Sequence, residues 1–472
     1  MLPLILLTFG ITRLLMLQFP EGRQSTAFSI FASYGFEAAA ASNRNVSVYE
    51  IRATNLRDSL RGSPSTIPGA GEIEYPPLAI SWLALPALLI KGSNDGASRA
   101  SAAERLNYAS VLRMELAVVD AICLCLVAMT LRSVLLASRE RMIGGIVSYV
   151  ACSSLLFVLL YDRLDLVVGA LILAALACHL SSLSIAWSFL LLGLAINFKV
   201  VALLIVPVWL IGSLPCGTFR KSLRHQVAVF AGRGVALALF ILLPVVPYWL
   251  RDGPRIFDFL HYHAERGIQI ESVAANVLFL LRPLGLRVDV AREFGSADVI
   301  ALGTRWFSLT FTLAMLGALG VAFLKMRREV MDAARRFPVE VRVASAMGPL
   351  CVKYSFLSLL IGMCGAKVFS PQYLLWIVPI APLVLLRDRK ADVAFQGAVA
   401  LLCFASLLVW PLLYSEVRPH SVLADGSLRF YPPTGIGVAI LSIRSAALLA
   451  VAASLLKHDV HTRTALQLQV SS

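Results

Sequence analysis

The sequence predicts an all-α, polytopic membrane protein of about twelve spanning helices with helical outward loops, and three observations carry that expectation. Of the 472 residues, 58% are hydrophobic and only 15% charged, where soluble domains carry about 25% charged residues. The mean hydropathy is +0.78, more apolar surface than a soluble core can bury, because surface-to-volume scaling demands a large polar exterior. The apolar stretches recur from the first residue to about Leu456, which excludes a soluble enzyme on a single anchor. The abundance of Leu, Val, Ile and Ala excludes a disordered chain.

A crossing takes about 20 apolar residues. Windows of that kind fall at 1–18, 76–91, 113–131, 144–161, 165–181, 184–212, 228–250, 306–324, 346–364, 369–386, 393–413 and 435–456. The first lacks a basic start and a small-residue cleavage site, so it reads as a span and not a secretory leader. Its Arg13 faces protein or snorkels. Lys325 to Arg336, Arg220 to Arg224, Arg387 to Lys390 and the tail with Lys457 and Arg463 are basic. They share one side, cytoplasmic under the positive-inside rule. Both termini then lie inside, and the loops 19–75, 251–305 and 414–434 face outward. The rule also accounts for 42 basic against 28 acidic residues without a nucleic-acid partner.

One loop disagrees. Arg132, Arg139 and Arg141 fall outside in this scheme. Splitting 184–212 at Asn197 and Lys199, and making 76–91 re-entrant, puts 132–142 inside. The eight cysteines lie mostly in apolar runs and read as small core residues without disulfides or metal. A single membrane domain spans 1–472, with 19–75 and 251–305 as its large extracytoplasmic loops.

Polar residues at the membrane edge mark the candidate site. The first loop holds Glu21, Glu37, Glu50, Asp58, Glu72 and Glu74, and ends in Glu74-Tyr75-Pro76-Pro77. A helix start with an interfacial Tyr explains that ending structurally; the functional reading is a carboxylate pinned at the mouth of the bundle. The second loop carries His261, His263, Glu265, Arg266, Gln269, Glu271 and Ser272. On a helix, His263, Arg266 and Gly267 share a face, and so many hydrogen-bonding groups at a lipid boundary favour ligand contact. His-x-His lacks the further ligands that zinc requires.

Three other places carry polar groups. Asp162-Arg163-Leu164-Asp165 is a solvated turn with a weak internal ion pair, or part of a site. Lys199 interrupts a span, and an intramembrane cation is a functional residue by default; the structural alternative is a snorkelling helix end. Ser370-Pro371 suits a helix start, which leaves Lys367 and Gln372 unexplained. No P-loop, dinucleotide fingerprint, zincin motif or nucleophile elbow is present in the sequence.

Taken together these residues resemble multi-pass glycosyltransferases of the GT-C superfamily, in particular bacterial family 87 mannosyltransferase-like proteins. The matching pieces are Glu74-Tyr-Pro-Pro-Leu78, Asp162-Arg-Leu-Asp165, Lys199 before Pro207, His263-x-x-Arg266-Gly-x-Gln269-x-Glu271-Ser272 and Ser370-Pro-Gln-Tyr-Leu-Leu-Trp376. The resemblance implies transfer of a hexose from a polyprenyl-phosphate sugar to a lipid or glycan acceptor on the outer face, with some relatives using a divalent metal. It makes Tyr75, Lys199, His261, His263, Arg266, Gln269, Glu271, Lys367 and Gln372 substrate-binding. One departure matters. The family carries an Asp soon after the first helix, in a pattern like Asp-Val-x-x-Tyr, as base on the acceptor hydroxyl. Here Asn45-Val-Ser-Val-Tyr49 has Asn in that place, and Ser25-Thr-Ala-Phe28 has no acid. Either Glu74 or Glu21 is the catalytic acid group, or the chain is an inactive relative that binds a lipid-linked sugar. A lipid or solute transporter is the third reading; it predicts inverted repeats and broken helices.

Overall fold

The computed structural model describes residues 2–18, 26–52, 73–90, 101–181, 183–294, 296–423 and 428–460. Within them the chain is mostly helical. The main helices are α1 (Leu2–Gln18), α2 (Thr26–Arg44), α3 (Pro77–Leu89), α4 (Ala102–Met129), α5 (Arg139–Leu155), α6 (Asp165–Leu180), α7 (Ile185–Phe198) and α8 (Val206–Ser213). They continue with α9 (Leu223–Leu242), α10 (Asp258–Glu265), α11 (Val273–Leu280), α12 (Thr304–Ala334), α13 (Gly348–Gly365), α14 (Arg389–Leu407) and α15 (Gly435–Lys457). Among the described residues, six helical stretches are long and apolar enough to cross a membrane. α13 is the central one: 94% of its most apolar stretch is buried, against 6% for the stretches over Leu223–Glu265 and Thr304–Ala334 at the periphery.

Side chains set many of the helix starts. Ser138, Ser184, Ser222, Ser272 and Thr434 each accept a first-turn N–H, satisfying donors that the helix itself leaves unpaired. At α4, Ser101 and Glu104 form a reciprocal capping box, with bonds of 2.7 and 3.2 Å. That box starts α4 eleven residues before the expected 113.

The helical class holds, with two small sheets added: β1 (Ile268–Gln269), β2 (Val288–Glu293) and β3 (Ser296–Ala301) form an antiparallel sheet in the order β1-β3-β2, and β4 (His420–Val422) pairs with β5 (Leu428–Phe430). Alternating β-branched residues such as Val288 and Val290 fit those strands. The expected span 369–386 is not an α-helix. It runs as two 3-10 turns, Pro371–Trp376 and Ala381–Leu383, because Pro371, Pro379 and Pro382 withhold donors and clash with a helical turn. Residues 374–386 are buried throughout, the condition under which irregular backbone is tolerated at membrane depth. The expected span 184–212 is broken at Lys199, whose backbone is extended (φ −158°, ψ 124°) between α7 and a 3-10 turn leading to α8.

Arg13 faces protein. Its Nε donates to Asp120 at 2.8 Å, and Asp120 also accepts from Tyr149 at 2.5 Å and Tyr161 at 2.8 Å. This network ties α1 to α4 and α5.

The basic segments gather at one end. Arg220 donates to the Ala334 and Arg335 carbonyls at 3.1 Å, Lys325 to Leu456 at 2.5 Å and Lys353 to His458 at 3.1 Å. The Arg387 N–H donates to Asp459 at 2.9 Å. Arg141 pairs with Asp392 at 3.1 Å, and Arg389 with Glu140. The dissenting loop 132–142 therefore lies at the same end as the other basic segments.

Candidate functional site

The opposite ends of these helices bring the polar motifs together. Glu74 precedes α3, and Pro76 and Pro77 restrict the backbone that follows it, from Tyr75 onward. Its N–H donates to the Tyr34 hydroxyl at 3.1 Å, and its carbonyl meets His263 Nε2 at 3.0 Å. α2 approaches α3 closely enough that a Cβ at Gly35 would overlap the Leu83 carbonyl and the Tyr108 ring, which seats Tyr34 against this corner. Tyr34 and Phe31 meet the Tyr75 ring edge-on, each at 5.9 Å. Tyr262 lies 3.4 Å from Glu74 Oε2, but its hydroxyl sits 2.5 Å from the Phe294 carbonyl, and its single proton serves the shorter contact. The Glu74 carboxylate makes no shorter hydrogen bond among the described residues. Its charge reaches Arg266.

Lys199 stands beside this corner at the break between α7 and α8. Its Nζ pairs with Asp165 at 2.6 Å and lies 4.9 Å from the Tyr373 ring centre and 5.0 Å from that of Trp376. Trp376 Nε1 donates to the same Asp165 oxygen at 2.6 Å. A Cβ at Gly169 would overlap the Leu375 carbonyl; glycine there lets the turn Pro371–Trp376 lie against α6 and reach Asp165. Of the two readings of 162–165, the solvated turn does not hold: Asp162 and Asp165 are buried, and Asp162 pairs with Arg113 of α4 at 3.2 Å. Their ion-pair partners, Arg113 and Lys199, come from other segments of the chain, while Arg163 adds a weaker favourable charge to Asp162.

α10 ends at Glu265, and Arg266 is extended beyond it. The expected helical face of His263, Arg266 and Gly267 is therefore not formed. Arg266 instead lies over the Tyr262 ring, 5.7 Å from its centre, and its buried Nε has no hydrogen-bond partner among the described residues. The following residues enter the sheet. Gly267 N–H donates to Asp298 at 3.1 Å and Gln269 N–H to the Lys367 carbonyl at 2.9 Å, while Lys367 Nζ donates to Ala264 at 2.7 Å. Burial, then Arg266, lower the Lys367 pKa from its ordinary value; burial raises that of Asp298.

Glu271 begins a second polar group. It is buried, its Oε2 lacks a hydrogen-bond partner among the described residues, and its carbonyl accepts from Arg444 of α15. Burial pushes its carboxyl pKa up, opposed by Arg444, Arg418 and Arg163. Among the described residues, the buried Nε of each of the three arginines has no hydrogen-bond partner. Buried donors are normally satisfied, so guanidinium nitrogens left open beside one carboxylate suit an anionic or hydroxyl-rich ligand.

Among the expected residues, Glu74, Tyr75, His263, Arg266, Lys199, Asp165, Lys367, Gln269, Glu271 and Arg163 thus fall in these two neighbouring groups. His261 is exposed, and Gln372 makes no hydrogen bond among the described residues. Glu21 lies outside the described residues. Asn45 closes α2 with φ 52°, a left-handed helix end that Asn tolerates. Tyr34, Tyr262, Asp298, Arg418 and Arg444 join from positions that sequence reasoning passed over. Arg444 carried a signal, a single charge inside an apolar window. Among the described residues, no group of three or more His, Cys, Asp and Glu is placed to hold a metal ion. No protein-family model and no curated protein matches the chain.

Proposed function

We propose that the protein is a GT-C-type membrane glycosyltransferase that moves a hexose, such as mannose, from a polyprenyl-phosphate carrier to a hydroxyl of a lipid or glycan acceptor. The observation that carries this reading is the Glu74 carboxylate. It is held by its backbone and left without a short hydrogen bond among the described residues, within reach of the Arg266 charge, while Lys199 and Lys367 act on the adjoining His263. Glu74 takes the proton of the acceptor hydroxyl. The oxygen attacks the anomeric carbon, the bond from that carbon to the phosphate oxygen breaks, and polyprenyl phosphate leaves with the electron pair. Arg266 is suited to the phosphate because its planar fork makes two parallel bonds. No step is routed through a metal.

The same reading gives a topology. The basic end is cytoplasmic under the positive-inside rule, and the site faces outward from a plasma membrane. About twelve crossings follow if α3, only 13 residues long, stays on the site side and the two halves around Lys199 each cross; both termini are then cytoplasmic. A reporter fused after Ser472 should be active only in the cytoplasm, and one placed within 281–288 only outside. The reverse pattern would remove the outward site.

Arg266→Lys should lower transfer about tenfold to a hundredfold, the cost of one lost charge-assisted bond, in a protein that still folds. Wild-type turnover would reduce the segment to a linker. A transport reading draws on one observation, the broken helix at Lys199 packed beside the irregular segment 371–386. It predicts movement of an intact sugar-lipid across the bilayer with no transfer product.

A further inference from the structure

A second feature lies apart from this site, where the sheet meets the start of α12. β2 and β3 pair in register, Val288 opposite Ala301, so the turn 282–287 lies beside 302–305. Gly285 (φ 95°) and Gly303 (φ 77°) each follow a leucine and turn the chain sharply in the left-handed region. The leucines are thrown outward: Leu284 is 81% exposed and Leu302 95%, and Trp306 in the first turn of α12 is 73% exposed. The apolar stretch of α12 is scarcely covered by protein, so the helix faces lipid. Its first turn then marks the membrane interface, the level that suits Trp. Leu302 and Leu284 sit at that level. Exposed Arg282, Arg287 and Arg305 surround them. Beside them a cleft of about 790 Å³ opens between the turn and the N-terminus of α15, lined by Arg282, Arg287, Asp289 and Gly435 among others. The helix N-terminus adds a partial positive charge.

We propose that this rim is a binding site for an anionic phospholipid. Arg282 and Arg287 hold its phosphate in the cleft, while Leu284, Leu302 and Trp306 insert among the acyl chains. Charge complementarity selects the lipid: guanidinium groups at a membrane surface attract anionic headgroups and bind phosphate oxygens in pairs. The site also anchors the sheet that carries Asp298 and Gln269. The proposal stands independently of the transfer reaction.

Native mass spectrometry of the full-length protein in neutral detergent tests it, with phosphatidylglycerol or phosphatidylcholine added. Wild type should retain phosphatidylglycerol preferentially. Arg282→Gln/Arg287→Gln should lose about 25-fold of that retention, about fivefold per arginine. Arg282→Lys/Arg287→Lys keeps both charges and should stay within about fivefold of wild type. Both side chains changed, Arg282 and Arg287, are exposed, so folding is not at stake. Equal retention of the two lipids by wild type would overturn the proposal, as would undiminished phosphatidylglycerol binding in the glutamine variant. Displacement of the lipid by an equal concentration of inorganic phosphate would make the cleft a site for free anions and would overturn it too.

Discussion

On the proposed reaction, Glu74→Gln is expected to lower sugar transfer about 100- to 10,000-fold, the contribution of a positioned general base, and to leave donor binding nearly unchanged. Gln is isosteric but takes no proton. The backbone contacts that fix this residue, from its N–H to Tyr34 and from His263 to its carbonyl, do not depend on the side chain, so the local geometry survives. Donor binding survives because Arg266, Lys199 and Lys367 keep their charges. The structural alternative has Glu74 only favouring the start of α3 electrostatically, an effect of about 0.3–1 kcal/mol. On that alternative the variant loses a little stability and no turnover. Binding of labelled donor, read alongside the transfer rate, separates the two. Full turnover in Glu74→Gln would pass the role of base to another acid, Glu21 first.

Asp120→Ala is expected to destabilise the fold by about 3–5 kcal/mol, the usual consequence of breaking a buried ion pair by removing one partner. Asp120 is fully buried, and its side chain is shared by Arg13, Tyr149 and Tyr161. Its loss strands the Arg13 guanidinium and two hydroxyls away from water. The network is one of the ties of α1 to α4 and α5, beside the packing of Met16, so α1 is the element expected to loosen. Arg13→Met/Asp120→Leu removes both charges and should recover much of the loss. Survival of the folded fraction after heating in detergent, read by size exclusion, checks both. Wild-type stability in Asp120→Ala would show that the network carries little weight.

The membrane-like helical class was legible in composition alone, and among the described residues six of the twelve apolar windows coincide with helices long and apolar enough to cross a membrane. Residue counting placed α6, α13 and α15 within a few positions of their observed bounds. It failed at 369–386, where three prolines outweigh apolarity, and at 113, where the Ser101–Glu104 box lies outside the apolar window. The parity of the middle helices was ambiguous in sequence because Lys199 can end one helix or interrupt another. Its extended backbone and its pairing with Asp165 decide for a break. The candidate site was legible as motifs but not as an arrangement. No local periodicity records that Trp376 and Lys199 share one Asp165 oxygen, or that Tyr34 of the first loop meets Glu74. Asp120, Arg113 and Arg444 are charges inside apolar helices, a pattern that marks buried partners. Their partners lie far away in sequence, so only the fold names them.

Transfer itself is the most direct test of the central claim. The purified full-length protein, reconstituted in vesicles, is given a polyprenyl-phosphate hexose labelled in the sugar together with a membrane-lipid extract as acceptor. The account predicts that label appears in a new glycolipid or glycan, with an equal amount of polyprenyl phosphate released and both products lost in Glu74→Gln. Intact donor recovered across the bilayer with no labelled product, or transfer that is indifferent to Glu74, would contradict it.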